Sequence, residues 1–202
     1  MPPKAKFTRE EIVQAALELT REQGRAGLTA RALAAALGCS AKPIFGLFQN
    51  MEEVQREVWI AANGLYQGYL RQDMSSGQYP PYKASGMAYI RFAKEERELF
   101  KLLFMGDQSE EARRTQDRQL QPILDLIQKS LGFSRENAYR FHLELWIFVH
   151  GMAAMIATSY LDWDADFISG ALTDAYTALK RHYQKEENHD GSDPDRGPDQ
   201  TV

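Results

Sequence analysis

Residues 28–48 read LTARALAAALGCSAKPIFGLF, and the rest of the chain is read outward from them. Thr29 is the kind of residue that caps a helix N-terminus, because its hydroxyl can accept from an otherwise orphaned backbone N–H. Leu33, Ala36 and Leu37 then form one short apolar face, and Gly38 stops the helix. Ser40 predicts a second start. Pro43 falls in that helix's first turn, where a missing N–H is tolerated, and Ile44, Leu47 and Phe48 are its apolar positions. The spacing therefore predicts helices over 28–37 and 40–48 joined by a turn at Gly38-Cys39. A second helix with Ser40, Ala41 and Lys42 on one side and Ile44 and Phe48 on the other can lock against the helices before it. Its first turn is then free to enter a DNA major groove. Thr29 and Arg31, at the start of the preceding helix, suit phosphate through a hydroxyl, free N–H groups and a guanidinium.

Upstream, Thr8-Arg9-Glu10-Glu11 is a capping box. Ile12, Ala15, Ala16 and Leu19 give the apolar face of a helix over 8–23, ended by Gly24 in a position suited to a left-handed residue. Downstream, Asn50 with Glu53 starts a fourth helix carried by Val54, Val58, Ala61 and Leu65. Ser75-Ser76-Gly77 and Pro80-Pro81 break it. Helices follow near 82–95, 96–105 and 110–131, the last on Leu120, Ile123, Leu124, Ile127 and Leu131 and stopped by Gly132. Ser134 caps a long apolar helix to about Tyr160, and a last helix near 165–183 carries Ile168, Ala171, Leu172, Ala175 and Leu179. From Lys185 the chain is acidic and bears Pro and Gly, so disorder is expected. The reading is all-α with about nine helices: a head over 1–52, a body over 53–184 and an acidic tail over 185–202.

The composition agrees. Of 202 residues, 44% are hydrophobic and 26% charged, which is globular rather than disordered. The single cysteine, Cys39, excludes an internal disulfide and reads as a small hydrophobe in the turn. No apolar run reaches the roughly 18 residues of a membrane span, and no apolar stretch follows the basic start, so a cytoplasmic protein without a signal peptide is expected. Residues 1–48 hold seven Lys/Arg against four Asp/Glu, net +3, on a chain of net charge −4. A basic head on an acidic body fits local contact with a polyanion. There is no Gly-rich phosphate loop, no HExxH pair and no nucleophile elbow, and Glu95-Glu96 and Glu110-Glu111 read as solvated helix faces. Neither an enzyme nor a cofactor is expected, and His142 and His150, about 12 Å apart along a helix at 1.5 Å per residue, cannot share a metal.

Taken together, Leu28-Thr29-Ala30-Arg31-Ala32-Leu33-Ala34, Leu37-Gly38-Cys39-Ser40 and Ile44-Phe45-Gly46-Leu47-Phe48-Gln49-Asn50-Met51-Glu52-Glu53-Val54 resemble the DNA-binding domain of the TetR (tetracycline-repressor-like) family. The helix ending in Glu22-Gln23-Gly24 fits that family's first helix, so the resemblance covers about residues 7–60. Trp146-Ile147-Phe148-Val149-His150-Gly151 is similar to the Trp/His-Gly-bearing helix of one class of TetR-type C-terminal domains. The resemblance implies a nine-helix, Ω-like homodimer that binds a palindromic double-stranded operator and releases it when a small effector fills the body. It implies DNA contacts from Lys4, Lys6, Thr29, Arg31, Ser40, Ala41, Lys42, Pro43, Phe45 and Gly46. The chain departs from the pattern at four positions. Phe45 stands where a Tyr commonly meets phosphate, Leu47 where a His or Tyr does, and Met51 where a Lys does, while Gly46 leaves a contact position without a side chain. Modest DNA affinity is expected, or compensation from Lys4, Lys6 and Lys42. Lys42 could meet a guanine or a phosphate.

In the body, Phe92, Phe100, Phe104, Met105, Trp146 and His150 are candidates to line a site for a small apolar or amphipathic effector. An ordinary helical core would carry the same residues. Gly151, Ala153, Ala154 and Ala157 allow close helix approach. With Met152, Met155, Leu172 and Tyr176 they are candidates for a dimer interface built as a four-helix bundle. The competing functional reading is a dimeric small-molecule or partner-binding module with weakened DNA binding.

Overall fold

Thr8 opens the first helix as the capping box requires: its hydroxyl accepts from the Glu11 N–H at 3.1 Å, and its own N–H donates to Glu11 Oε2 at 2.8 Å. The computed structural model describes residues 7–106 and 110–190, with side chains for 7–106 and 120–188. Among the described residues there are nine helices and no strand. They are α1 (Arg9–Gly27), α2 (Ala30–Ala36), α3 (Lys42–Phe45), α4 (Met51–Ser75), α5 (Pro81–Glu95), α6 (Arg97–Phe104), α7 (Glu110–Leu131), α8 (Arg135–Ala157) and α9 (Ala165–Asp190). No described helix is long and apolar enough to cross a membrane. The basic start, with Lys4 and Lys6, lies outside the described residues, as does the acidic stretch after Asp190.

Gly24 has the expected positive φ, +69°, but its ψ of −179° takes it out of the left-handed helical well, and one further turn follows to Gly27. That combination is open essentially to glycine alone. A Cβ built there would also stand 2.6 Å from Glu98 Oε2 on α6, so the Glu98 carboxylate would have to swing aside. Gly24→Ala is therefore expected to lower stability by about 1–3 kcal/mol, read from the urea midpoint. An unchanged midpoint would contradict this account of the kink.

The chain divides into two compact units, Met1–Gln108 with Met152–Asp162, and Ser109–Gly151 with Trp163–Val202. In the first, α1 packs against α2, α4 and α6, and α5 against α4 and α6. Ile12, Ala16, Leu33, Ile44, Val54 and Val58 are buried together with Phe92, Leu99 and Phe100. Lys94 pairs with Asp162 at 2.8 Å and Arg97 donates to the Ser159 hydroxyl at 2.8 Å, which ties the segment after α8 to this unit. In the second unit Phe133, Phe141 and Tyr183 meet edge-on or tilted with centroids 5.6–6.1 Å apart, and Leu124, Ile127, Leu145 and Ile168 are buried with them.

Two boundaries of the last helices also differ from expectation. Helix α8 ends at Ala157 rather than near Tyr160, with Ser159 at positive φ. Helix α9 runs on to Asp190, so residues 185–190 are not a disordered tail. Glu187 explains this: it accepts from the Ser134 N–H at 2.6 Å and from Asn137 Nδ2 at 2.9 Å, pinning the end of α9 to the start of α8. Burial alone would raise the Glu187 carboxyl, but these donors outweigh it and hold the group below its ordinary 4.5. A carboxyl lowered by folding adds stability that is present above the unfolded value and is lost as pH falls through the folded one. Amide exchange at the end of α9 is expected to quicken in that acidic window, below pH 4.5, and Glu187→Gln to remove the dependence. Identical pH profiles for the two proteins would contradict the pinning role.

Candidate nucleic-acid interface

Thr29 sits in extended backbone (φ −115°, ψ 157°) and its hydroxyl accepts from the Ala32 N–H at 3.2 Å, so it caps α2 as expected. Gly38 turns the chain at φ +62°, and the Cys39 N–H donates to the Ala34 carbonyl at 2.9 Å. Cys39 is half-buried in this turn rather than enclosed. The second helix is shorter than the sequence predicts. Ser40 does not cap it; Ala41 occupies the cap position, its carbonyl accepting from the Ile44 and Phe45 N–H groups at 3.1 and 3.2 Å, with no side-chain cap. Helical bonds from Gly46 to Lys42 (3.0 Å) and from Phe48 to Ile44 (2.9 Å) carry the turn on to Phe48. Asn50 then caps α4, its Oδ1 accepting from the Glu53 N–H at 2.9 Å.

The two faces of the α3 turn separate cleanly. Ile44 and Phe48 are buried, four residues apart and facing inward. Ser40, Lys42, Phe45, Gly46 and Leu47 are exposed, Phe45 by 46%, while Ala41 and Pro43 are half-buried. Thr29 and Arg31 at the head of α2 are also exposed, and Met51 is half-buried. Of the ten residues expected at DNA, eight are described and all eight lie at least partly at the surface.

One part of this site is not visible in the local sequence pattern. Arg9, from the start of α1, donates through Nη1 to the Leu47 carbonyl at 2.9 Å and through Nη2 to Glu53 and Glu57, each at 2.7 Å. Its guanidinium lies 4.2 Å from the centroid of the Phe48 ring. The Gln49 N–H donates to the other Glu53 oxygen at 2.7 Å. The hydrogen bonds to Glu57 and Glu53 push Arg9 further up, and the Gln49 N–H, then Arg9, hold the Glu53 carboxyl below its usual range. Arg9 thus fastens the end of the α3 turn to α1 and α4 and is not available to a polyanion. Arg21 is also committed, to Glu18 at 2.5 Å and Glu96 at 2.7 Å. Arg31 and Lys42 form no ion pair among the described residues. Cations without carboxylates, at the exposed edge of a helix pair locked from behind, have the chemistry that phosphate oxygens pair with.

In the first unit, Tyr66 and Tyr69 of α4, Tyr89 and Phe92 of α5 and Phe100 and Phe104 of α6 form one aromatic cluster. Tyr66 meets Tyr89, Phe92 and Phe104 with centroids 5.2–5.9 Å apart, and Tyr89 meets Phe100 and Phe104 at 5.2 and 4.8 Å. Burial pushes the Tyr66 and Tyr89 hydroxyls up, so both stay neutral; burial and a hydrogen bond to Glu95 push Tyr69 up to about 12. Phe92 and Phe100 are buried, Phe104 is half-buried and Met105 is exposed. Trp146 and His150 belong to the second unit, stacked at 4.9 Å, with Trp146 40% exposed and His150 lowered by burial. The six effector candidates therefore fall into two groups, and sequence reasoning missed the three tyrosines of the first. The i, i+3 spacing of Tyr66 and Tyr69 was the available signal.

The dimer candidates divide as well. Met152 and Leu172 are buried by the chain itself, Tyr176 is half-buried with its ring 5.5 Å from Phe141, and Met155 is exposed. On α8, Tyr139, Leu143, Trp146 and Ile147 make an exposed apolar surface, and Phe148, on the other side of the helix from Tyr139, is exposed as well. Positions 139, 143, 146 and 147 follow helical periodicity, a signal the sequence carries.

Residues 82–177 match the model of the tetracyclin repressor-like C-terminal domain family. An uncharacterised helix-turn-helix-type transcriptional regulator of Mycobacterium tuberculosis is 26% identical over 200 residues, covering 93% of this chain and 87% of that protein. Among solved structures, a transcriptional regulator of Pseudomonas aeruginosa PAO1 aligns with TM-score 0.66 at 14% identity, over 88% of this chain and 96% of that one. A TetR-like transcriptional regulator of Rhodococcus sp. RHA1 aligns with TM-score 0.61 at 12% identity, over 91% and 99%. A point variant of TetR from Acinetobacter baumannii AYE, solved with minocycline, aligns with TM-score 0.54 at 17% identity, over 89% and 98%.

Proposed function

We propose that this chain is a TetR-type transcriptional regulator, as the match of residues 82–177 and the 26% identical helix-turn-helix-type relative support, and that it acts as a homodimeric repressor that holds a palindromic operator and lets it go when a small apolar or amphipathic molecule enters its body. The observation that carries the reading is the exposed pair Arg31 and Lys42, on a helix-turn-helix whose other side is locked by Ile44, Phe48 and the Arg9 network. Thr29, Ser40, Ala41, Pro43, Phe45 and Gly46 complete the surface, and Lys4 and Lys6, outside the described residues, add DNA contacts. Residues 1–52 act as the DNA head and 53–184 as the effector and dimerisation body.

A two-fold partner brings a second head to the next major groove, about 34–36 Å away. The exposed α8 surface supports the dimer, since an apolar stripe of this kind is self-complementary when a copy is laid against it. The aromatic cluster supports the effector reading, since closely packed rings with neutral, buried phenols are the groups that would line a site for an apolar molecule. Arg21 offers a route between them: it joins α1 to Glu96 at the α5–α6 corner, which Phe92 and Phe100 flank four residues to either side. Sedimentation of the full chain with a duplex recovered by selection from random DNA is expected to give two chains per duplex. One chain per duplex would contradict the dimeric reading.

A further inference from the structure

The DNA-facing side of the α3 turn is unusual in what it lacks. Lys42 and Phe45 stand three residues apart, neighbours on the helix surface and both exposed, while Ile44 and Phe48 are buried. Around them lie Ala41, Pro43, Gly46 and Leu47, none with a side-chain hydrogen-bonding group. Beyond Ser40 and Lys42, this surface cannot read a donor or acceptor on a base edge. Phe45 is nonetheless 46% exposed and Leu47 36%, beside a lysine with no ion pair among the described residues. The charge calls for a polyanion, and the apolar side chains call for an apolar feature within it. In the major groove the only such feature is the C5-methyl group of thymine.

We infer that Phe45 is a specificity-determining residue that recognises thymine methyl groups, so that each half-site of the operator carries thymine where Phe45 meets the groove. The inference rests on the proposed function and deepens it by naming what the head reads. Lys42, one helical turn back on the same side, anchors the neighbouring base or phosphate and sets the depth at which the ring meets the methyl groups.

The test uses the full chain and duplexes selected from a randomised pool. In the preferred duplex, thymines are replaced one at a time by uracil, which removes only the methyl group. At one or two positions per half-site, wild-type affinity is expected to fall about fourfold for each methyl lost. Phe45→Ala should bind the thymine and uracil duplexes equally, with an unchanged melting temperature because the side chain is exposed. Wild-type protein that selects a sequence but is indifferent to uracil at every position overturns the inference and leaves the proposed function standing. So does a uracil penalty that persists in Phe45→Ala. A chain that selects no sequence overturns both, and that pattern cannot be confused with the others.

Discussion

Phe48→Ala is expected to cost about 3–5 kcal/mol of stability and to abolish sequence-preferring DNA binding. The ring is buried at the end of the α3 turn, and truncation leaves a cavity that the short helix cannot collapse into. It also strips the Arg9 guanidinium of the ring 4.2 Å away, in a network that holds the Leu47 carbonyl. The α3 turn has few helical bonds of its own, so its orientation depends on Ile44, Phe48 and Arg9 rather than on intrinsic helicity. Denaturant unfolding should show the loss as a lower midpoint. Phe48→Leu, which keeps most of the volume, should recover much of it. A stable Phe48→Ala protein with unchanged DNA preference would show that the turn is held in some other way.

The second large effect is on binding. Arg31→Ala combined with Lys42→Ala is expected to leave stability unchanged, since neither cation has a partner to lose among the described residues. If both meet phosphates, four contacts are lost from the two-chain complex, and the slope of log affinity against log salt should become shallower by about 3.6, or 0.9 for each contact. If Lys42 meets a guanine instead, the slope should change by about 1.8 while preference at one base pair in each half-site is lost, by about 1–3 kcal/mol apiece. Competition titrations across a salt series separate the two cases. Unchanged affinity at every salt concentration would remove this surface from the account. The corresponding change at Arg9 should act through the fold, because its guanidinium is already occupied by Glu53 and Glu57.

The parts of the fold that depend on neighbours in sequence were legible. Thr8, Thr29 and Asn50 cap the helices they precede, and Gly24 and Gly38 take the positive φ their positions require. Each is a contact within about one turn, which a residue pattern can express. Ser40 misled because a serine before a helix reads the same whether or not its hydroxyl reaches an N–H; here Ala41 comes to lie at the cap instead. The Arg9 network was out of reach, since it joins residues 38–48 positions apart and only packing brings them together. The length of α9 was hidden for the same reason. Residues 185–190 have the composition of a tail, and Glu187 gains its donors only from the start of α8, about fifty residues earlier. Phe92 and Phe100 were visible as apolar positions, but their gathering with Tyr66, Tyr69 and Tyr89 required the packing of α4, α5 and α6.

The central claim is that the face carrying Arg31, Lys42 and Phe45 grips a specific duplex. The direct measurement is the affinity of the full chain for DNA from upstream of its own gene, relative to random DNA of equal length, across a salt series. The account predicts a ratio of at least about 10³ at physiological salt, with both affinities falling as salt rises. A ratio near one at every salt concentration would contradict it.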